Sequence, residues 1–344
     1  MSKGYIIIGQ IPTSNPKSYG GVTVLTKQLL EYFDENHKEY IFIQANRFEG
    51  KFSFVPNYLY IIFTLLANVA HADIIMANVT RNGAFYVSPT VLFITRIFKK
   101  RFIFRMFGGN FHRLYERPRY IKRWLIDYVM KNADMLFFEL KFEVDYFKKI
   151  NVHTYWFPNV RKKPTVIRNQ EGEYKKRFIF LGHIRHEKGI DEIVDASSML
   201  DESYSIELYG TLIDKKYNEL FWKEHPKIHY KGELEPTKVY DVLAKNDVLI
   251  LPSYWEGYPG VIIEALGVGL PIIATNLTGI LEMVVESCAI FIQPRQGRVL
   301  AEAMKSINSD NYPSLSKGAL EKFNDYEYKS IYRRVIETCE RSMP

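Results

Sequence analysis

Leu249-Ile250-Leu251-Pro252-Ser253-Tyr254-Trp255-Glu256-Gly257-Tyr258-Pro259-Gly260-Val261-Ile262-Ile263-Glu264 is the stretch on which the fold of this 344-residue chain turns. The segment Asp247–Leu251 reads as a strand buried on both faces. Proline and glycine then interrupt it. Apolar residues return at Gly260, with Glu264 in the first turns of a helix, and Pro271–Thr275 reads as the next strand. Strand, loop, helix and strand at this spacing predict a parallel sheet. Free N–H groups at the helix start, with the helix dipole behind them, form an anion site. Gly257 and Gly260 let a phosphate approach the backbone closely. Glu256 and Glu264 flank that site, and ionised carboxylates, which only accept hydrogen bonds, suit sugar hydroxyls. Either glutamate alone would read as a loop acid or a helix-start acid. Together, among these glycines and prolines, they read as a binding site.

The same alternation extends in both directions. Toward the N-terminus, strands are expected at Tyr5–Ile8, Tyr40–Gln44, Asp73–Met76, Arg101–Met106 and Asp134–Phe138. A loop from Gln10 to Gly21, holding Pro12, Asn15, Pro16 and Gly20-Gly21, leads into a helix with Val22, Leu25, Leu29 and Tyr32 on one face. Phe52 to Ala72 is free of charge and reads as a core helix, with an interfacial helix as the lesser alternative. Its dense apolar part, Tyr58–Leu66, falls short of the ~20 residues a spanning helix needs. A polar linker is expected at Arg161-Lys162-Lys163-Pro164 and Arg168 to Lys176. Beyond it come strands Arg177–Leu181, Ser205–Tyr209 and Lys227–Lys231, and a helix bearing Ile190, Ile193, Val194 and Leu200. The tail from Ala319 to Glu340 reads as one helix. The expected fold is α/β, two doubly wound Rossmann-like domains facing each other across a cleft. They would comprise residues 1–165 and 166–325, with a helix in 326–344 packing back toward the first domain. Ligands in such folds lie beyond the carboxyl ends of the strands.

Composition narrows the class. The chain is 47% hydrophobic and 25% charged, which excludes a disordered chain. Cys288 and Cys339 are the only cysteines, which excludes a disulfide framework and a multi-cysteine zinc site and fits a reducing cytoplasm. Met1-Ser2-Lys3-Gly4 leads straight into an expected strand with no signal-peptide pattern. A net charge of +7 favours polyanionic partners such as a phosphorylated substrate or anionic lipid. Nucleic acid is disfavoured, because no compact basic helix or aromatic platform motif occurs. A dinucleotide oxidoreductase is disfavoured too, since no Gly-x-Gly-x-x-Gly follows Tyr5–Ile8.

Glu256-x7-Glu264 within its Pro-Ser-Tyr-Trp-Glu-Gly-Tyr-Pro-Gly context resembles the hallmark of the retaining nucleotide-sugar glycosyltransferases of the GT-B fold, family four (group 1), of the bacterial surface-polysaccharide type. Further landmarks are similar: Gly20-Gly21, Ala133-Asp134, Pro158-Asn159, Leu181-Gly182 through Lys188-Gly189-Ile190, Asp247 to Ser253, and Thr278-Gly279-Ile280-x-Glu282. The resemblance implies that Glu264 holds the donor ribose and Glu256 faces the donor sugar. It implies that backbone around Gly257, Tyr258, Pro259, Gly260 and Val261 contacts sugar and diphosphate. Lys188 would neutralise the departing diphosphate, and Gly20 and Gly21 would admit it closely. It implies no cofactor and no metal, and the chain has no Asp-x-Asp.

Two positions depart from the family pattern. His183 stands where an arginine is usual, and Arg185 either supplies the lost charge or is a solvated loop residue. Phe107 stands where a histidine is usual; His112, or more weakly Asn110, would replace it, unless His112 is structural. The implied reaction transfers a sugar, with a UDP-sugar favoured by analogy, to a hydroxyl of a saccharide acceptor. Basic residues interleaved with rings at Phe98–Phe102, Arg117–Trp124 and Phe147–Ile150 suit an anionic membrane surface, or are ordinary solvated faces. A lipid-linked acceptor and a cytoplasmic, peripheral location on the inner membrane face are therefore expected. The alternatives are a nucleotide-sugar 2-epimerase on the same fold and a non-catalytic nucleotide-sugar-binding protein.

Overall fold

In the computed structural model, which describes residues 4–14, 18, 20–50, 52–117, 120–168 and 173–341, the strands form two parallel six-stranded sheets. The chain divides into two units, Met1–Asn159 with Lys329–Pro344, and Val160–Tyr328. Asn15, Pro16, Pro118, Arg119 and residues 169–172 of the expected linker lie outside the described residues.

The first unit contains β1 (Tyr5–Gly9), α1 (Gly21–Glu35), β2 (Tyr40–Gln44), α2 (Phe54–Asn68), β3 (Ile74–Val79) and α3 (Ser88–Ile97). It continues with β4 (Arg101–Met106), α4 (Phe111–Glu116), α5 (Ile121–Asn132), β5 (Met135–Phe138), α6 (Lys141–Lys148) and β6 (Thr154–Trp156). Strand order is β2-β1-β3-β4-β5-β6, with Tyr5 beside both Tyr40 and Ile74. Every residue of β1 and β3 is buried, as expected for central strands covered on both faces.

The second unit contains β7 (Arg177–Leu181), α7 (Ile190–Ser198), β8 (Ser205–Tyr209), α8 (Glu219–Lys223), β9 (Ile228–Tyr230), α9 (Val239–Leu243) and β10 (Val248–Leu251). After these come α10 (Gly260–Val268), β11 (Ile272–Thr275), α11 (Thr278–Leu281), β12 (Ala289–Ile292), α12 (Gly297–Ser306) and α13 (Tyr312–Phe323), and the chain then leaves the second unit through α14 (Tyr328–Arg341). Its strand order is β12-β11-β10-β7-β8-β9. The direction of strand addition thus reverses between β1 and β3 in the first unit and between β7 and β10 in the second. Such switch points splay the loops after two adjacent strands and open a crevice.

The last helix belongs to the first unit almost entirely. Tyr332 Oη donates to the Leu25 carbonyl at 3.0 Å, Lys38 Nζ to Glu340 Oε1 at 2.7 Å, and Arg101 Nη1 to the Cys339 carbonyl at 2.9 Å.

Four details differ from the sequence expectation. The tail is two helices, because a 3-10 turn at Asn324–Tyr326 separates α13 from α14. Strands β6 and β12 were not expected; both are short and lie at sheet edges. Arg161 is no linker residue: it is nearly buried, and its backbone bridges to that of Glu327. Finally, α2 buries only one stripe, Asn57, Ile61 and Leu65, rather than a whole core helix.

Candidate functional site

The second unit's switch point is built by the loops after β7 and β10. The β7 loop passes through the 3-10 turn His186–Lys188 and ends at Gly189, whose φ of +76° suits glycine. A Cβ there would collide with the Pro252 carbonyl, so the turn can press against the end of β10. The Tyr254 amide donates to the Glu187 carbonyl at 2.9 Å and locks the two loops together.

This contact aims Lys188 at the acidic loop. Lys188 Nζ donates to Glu256 Oε1 at 2.5 Å, and Ser253 Oγ donates to the same oxygen at 2.8 Å. The Ser253 carbonyl is in turn held by Thr275 Oγ1 at 2.7 Å. Lys188 and Glu256 are both mostly buried, so this pair is less screened than one in open water. At the start of α10 the N-cap is Pro259, which has no side chain to cap the first amides. The helix opens toward the crevice with Gly260 and Val261.

Glu264, one turn into α10, accepts from Arg161 Nε at 2.8 Å. Gly260 makes this possible, since a Cβ there would collide with the Arg161 guanidinium. A cation thus fixes one carboxylate oxygen of Glu264. Sequence reading missed Arg161 because it sits in a basic run that resembles a linker; its partner is 103 residues away.

A cavity of about 350 Å³ lies over these groups. Gly182, His183, Lys188, Thr211, Val261 and Glu264 line it. Arg185 is not brought into its lining: its guanidinium sits 5.9 Å over the Trp255 ring, with Nε 3.6 Å from Glu187 Oε2. Tyr258 is buried, with its ring 6.4 Å from that of Tyr326, so it supports the loop from behind. Gly257 lies close to α11, where a Cβ on Gly279 would strike the Gly257 carbonyl.

Behind the crevice Asp247, fully buried, is tied to the guanidinium groups of Arg168 and Arg177. It also accepts from the backbone amides of Lys175 at 3.0 Å and Arg177 at 2.8 Å. This hub fixes the entry to β7 against that to β10.

The first unit carries the remaining candidates. Gly20 precedes α1 in extended conformation, and its amide donates to Thr23 Oγ1 at 3.1 Å. Among the described residues, apart from chain neighbours and the backbone of α1 itself, no atom lies within 4 Å of where a Cβ on Gly20 or Gly21 would stand. His112, on α4, presents Nδ1 to Glu143 Oε1 at 3.2 Å, and the His112 amide donates to the same oxygen at 3.1 Å. Glu143 is buried on α6 and was not singled out in the sequence. Burial, then Arg113, push the imidazole below its usual range, against a smaller pull from Glu116. Asn110 is the residue before α4.

A second cavity, about 280 Å³, occupies the first unit's switch point. Gln10, Asn46, Asn78, Thr80 and Asn82 supply its polar wall, and Phe48, Phe54 and Tyr58 its aromatic one. Asn57 ties that wall together by exchanging hydrogen bonds with both backbone groups of Phe48, at 2.9 and 2.8 Å. Sequence reading assigned none of these residues to a site, because single polar residues scattered over 70 positions form no motif. Among the described residues, no three His, Cys, Asp or Glu side chains converge as a metal-ion site.

Residues 163–329 match the family model described as glycosyl transferases group 1. A Bacillus subtilis protein, named as a teichuronic acid biosynthesis glycosyltransferase, is 32% identical over 126 residues, 37% of this chain and 31% of that one. The Campylobacter jejuni N,N'-diacetylbacillosaminyl-diphospho-undecaprenol alpha-1,3-N-acetylgalactosaminyltransferase is 22% identical over 184 residues, 52% of this chain and 48% of that one. The matches therefore span a third to a half of these relatives. Among solved structures, Anabaena HepE in complex with UDP-glucose superposes with a TM-score of 0.71 at 12% identity, covering 98% of this chain and 99% of that one. The fold is the expected GT-B type, a pair of doubly wound α/β units.

Proposed function

From a chain whose second unit belongs to the group 1 glycosyl transferases, we propose an enzyme that moves a sugar from a nucleotide diphosphate sugar to a hydroxyl of a saccharide acceptor in polysaccharide biosynthesis. The observation that carries this reading is the convergence of Lys188, Glu256, Glu264 and the uncapped start of α10 on one crevice. The diphosphate sits against the Gly260 and Val261 amides and the Lys188 ammonium. Glu264, with one oxygen held by Arg161, keeps the other for the ribose hydroxyls. Glu256 takes hydroxyls of the donor sugar. As the bond from the anomeric carbon to phosphate oxygen breaks, negative charge gathers on the leaving diphosphate, where these fixed donors stabilise it. The acceptor oxygen bonds to the anomeric carbon from the same face, and its proton passes to the departing phosphate oxygen. The configuration is retained, and no protein nucleophile or metal is required.

UDP is the favoured nucleotide, supported by the UDP-glucose complex of a protein with the same fold. A lipid-linked acceptor is favoured by the diphospho-undecaprenol in the name of the Campylobacter relative. Such an acceptor places the enzyme on the inner face of the cell membrane. The experiment is titration calorimetry with UDP, GDP and ADP, followed by incubation with the matching donor with and without a saccharide acceptor. The expected result is binding of one nucleotide, weakened about tenfold or more by Glu264→Gln, and an acceptor-dependent product of retained configuration. Epimerised donor in the absence of acceptor would sink the transfer reading.

A further inference from the structure

The outer face of α2 is apolar. Its inner stripe, Asn57, Ile61 and Leu65, is buried, while Val55, Leu59, Phe63 and Leu66 point outward at spacings of four, four and three. Phe63 is 68% exposed and Val55 60%. No charged residue occurs between Phe52 and Ala72 to solvate that side. A helix on the surface of a water-soluble domain ordinarily turns a polar face outward.

The neighbouring helices continue the surface. Tyr58 Oη on α2 lies 2.8 Å from Thr90 Oγ1 on α3. The Phe54 ring packs edge-on against Tyr86 at 5.6 Å, and Lys122 Nζ on α5 sits 5.5 Å from the same Tyr86 ring. Phe93 and Ile97 of α3 and Ile121 and Trp124 of α5 are each more than half exposed. An exposed apolar surface of this kind marks an interaction site.

Charge identifies the partner. The three helices hold four basic residues, Arg96, Lys122, Arg123 and Lys131, and one acidic residue, Asp127, whereas the whole chain holds 46 and 39. Lys99, Lys122 and Lys131 are exposed. Rings and aliphatic side chains framed by lysines match the boundary between acyl chains and anionic headgroups. The helix lies in that plane and does not cross it. The 18-residue run Phe54–His71 is long and apolar enough to span by length and composition alone, but Ile61 and Leu65 belong to the core of the first unit and hold it against the sheet.

We propose that α2, α3 and α5 form one docking face that seats this chain on an anionic bilayer, with Leu59, Phe63 and Trp124 entering the acyl boundary. This rests on the membrane-surface part of the reading above and relocates it from basic runs to an apolar face.

The test is co-sedimentation of the full chain with phosphatidylcholine vesicles, with and without phosphatidylglycerol. Wild type should bind the anionic vesicles, and Leu59→Ser/Phe63→Ser should lower the partition coefficient at least ~10-fold. Trp124→Ala should lower it by less. Unchanged circular dichroism and unchanged UDP affinity show that the fold persists. Cys288 and Cys339 are both buried, so Phe63→Cys gives an exposed thiol for an environment-sensitive dye, whose emission should shift blue on the vesicles. Full binding by Leu59→Ser/Phe63→Ser, with loss on Lys148→Glu/Lys149→Glu, would return docking to a basic run and overturn the proposed face alone. A wild-type chain indifferent to every vesicle would overturn the face and the membrane reading together. A dimer that these serine substitutions disperse in the absence of lipid would assign the face to a second copy and also overturn the proposal. Transfer to a water-soluble acceptor, measured in parallel, reports on the chemistry independently of docking.

Discussion

The two units place a crevice at the same topological position but line it with different chemistry. At the β7/β10 switch point the wall carries Lys188, His183 and Glu264, with Glu256 on Lys188 and Arg161 on Glu264. At the β1/β3 switch point the polar wall is neutral: Gln10, Asn46, Asn78, Thr80 and Asn82 beside Phe48 and Tyr58. Fixed charges and uncapped amides stabilise a charge that develops during reaction. Neutral amides, which both donate and accept, match hydroxyl groups that carry no charge. On the proposed function, the phosphate chemistry belongs to the second unit and neutral saccharide recognition to the first.

Lys188→Ala tests the charged crevice and should have the largest effect, a loss of turnover of at least ~100-fold, about 2.7 kcal/mol. His183, which lines the crevice, should cost about tenfold on replacement by Ala. Arg185→Ala, at a residue turned toward Trp255 and Glu187, should cost less than either. Steady-state turnover at saturating donor and acceptor checks this order. A loss in Arg185→Ala equal to that in Lys188→Ala would mean that the loop after β7 rearranges around the diphosphate.

Asn82→Ala tests the neutral crevice. Asn82 is exposed at its rim, so the substitution should leave the fold intact. We expect KM for the saccharide acceptor to rise about fivefold, the scale of one hydrogen bond at ~1 kcal/mol, with donor affinity unchanged. A fall in UDP affinity with no change in acceptor KM would break the division of labour between the two units.

The same contrast explains what the sequence made legible. Phosphate chemistry demands glycines, a helix start and charges at short spacing, so Glu256, Gly260 and Glu264 fall within nine residues and could be found. Strands such as β4 and β7 were legible to the residue because parallel central strands are dense apolar runs. Arg161 was hidden because its role depends on a partner far along the chain. The outward stripe of α2 was hidden for a different reason. An apolar periodic run fixes the helix, but which of its faces meets protein depends on how the sheet beneath is ordered. Glu143 escaped notice as one acid on an ordinary amphipathic helix, and only the fold brings it to His112.

The smallest expected effect separates a structural from a reactive His112. Burial and Arg113 hold its imidazole below the ordinary value of 6.5. Glu116 pulls the opposite way, more weakly than burial. With a folded-state value below the unfolded one, acidification through about pH 6.5 lets the unfolded chain take up a proton that the folded chain resists. Stability from this residue is therefore present above that pH and lost below it. His112→Asn should flatten this part of the profile, seen as a smaller drop in thermal midpoint between about pH 7.5 and pH 5.5 than in wild type. Acceptor-dependent turnover should separate the roles at about pH 7.5, where the imidazole is neutral in either case. If His112 only braces α4 against α6, Asn, which can keep the contact to Glu143, leaves turnover near wild type. If its other ring nitrogen meets the acceptor, turnover falls while stability at that pH does not. A thermal midpoint that rises in wild type on acidification, and not in His112→Asn, would show that Glu143 outweighs burial and holds a protonated imidazole in the first unit.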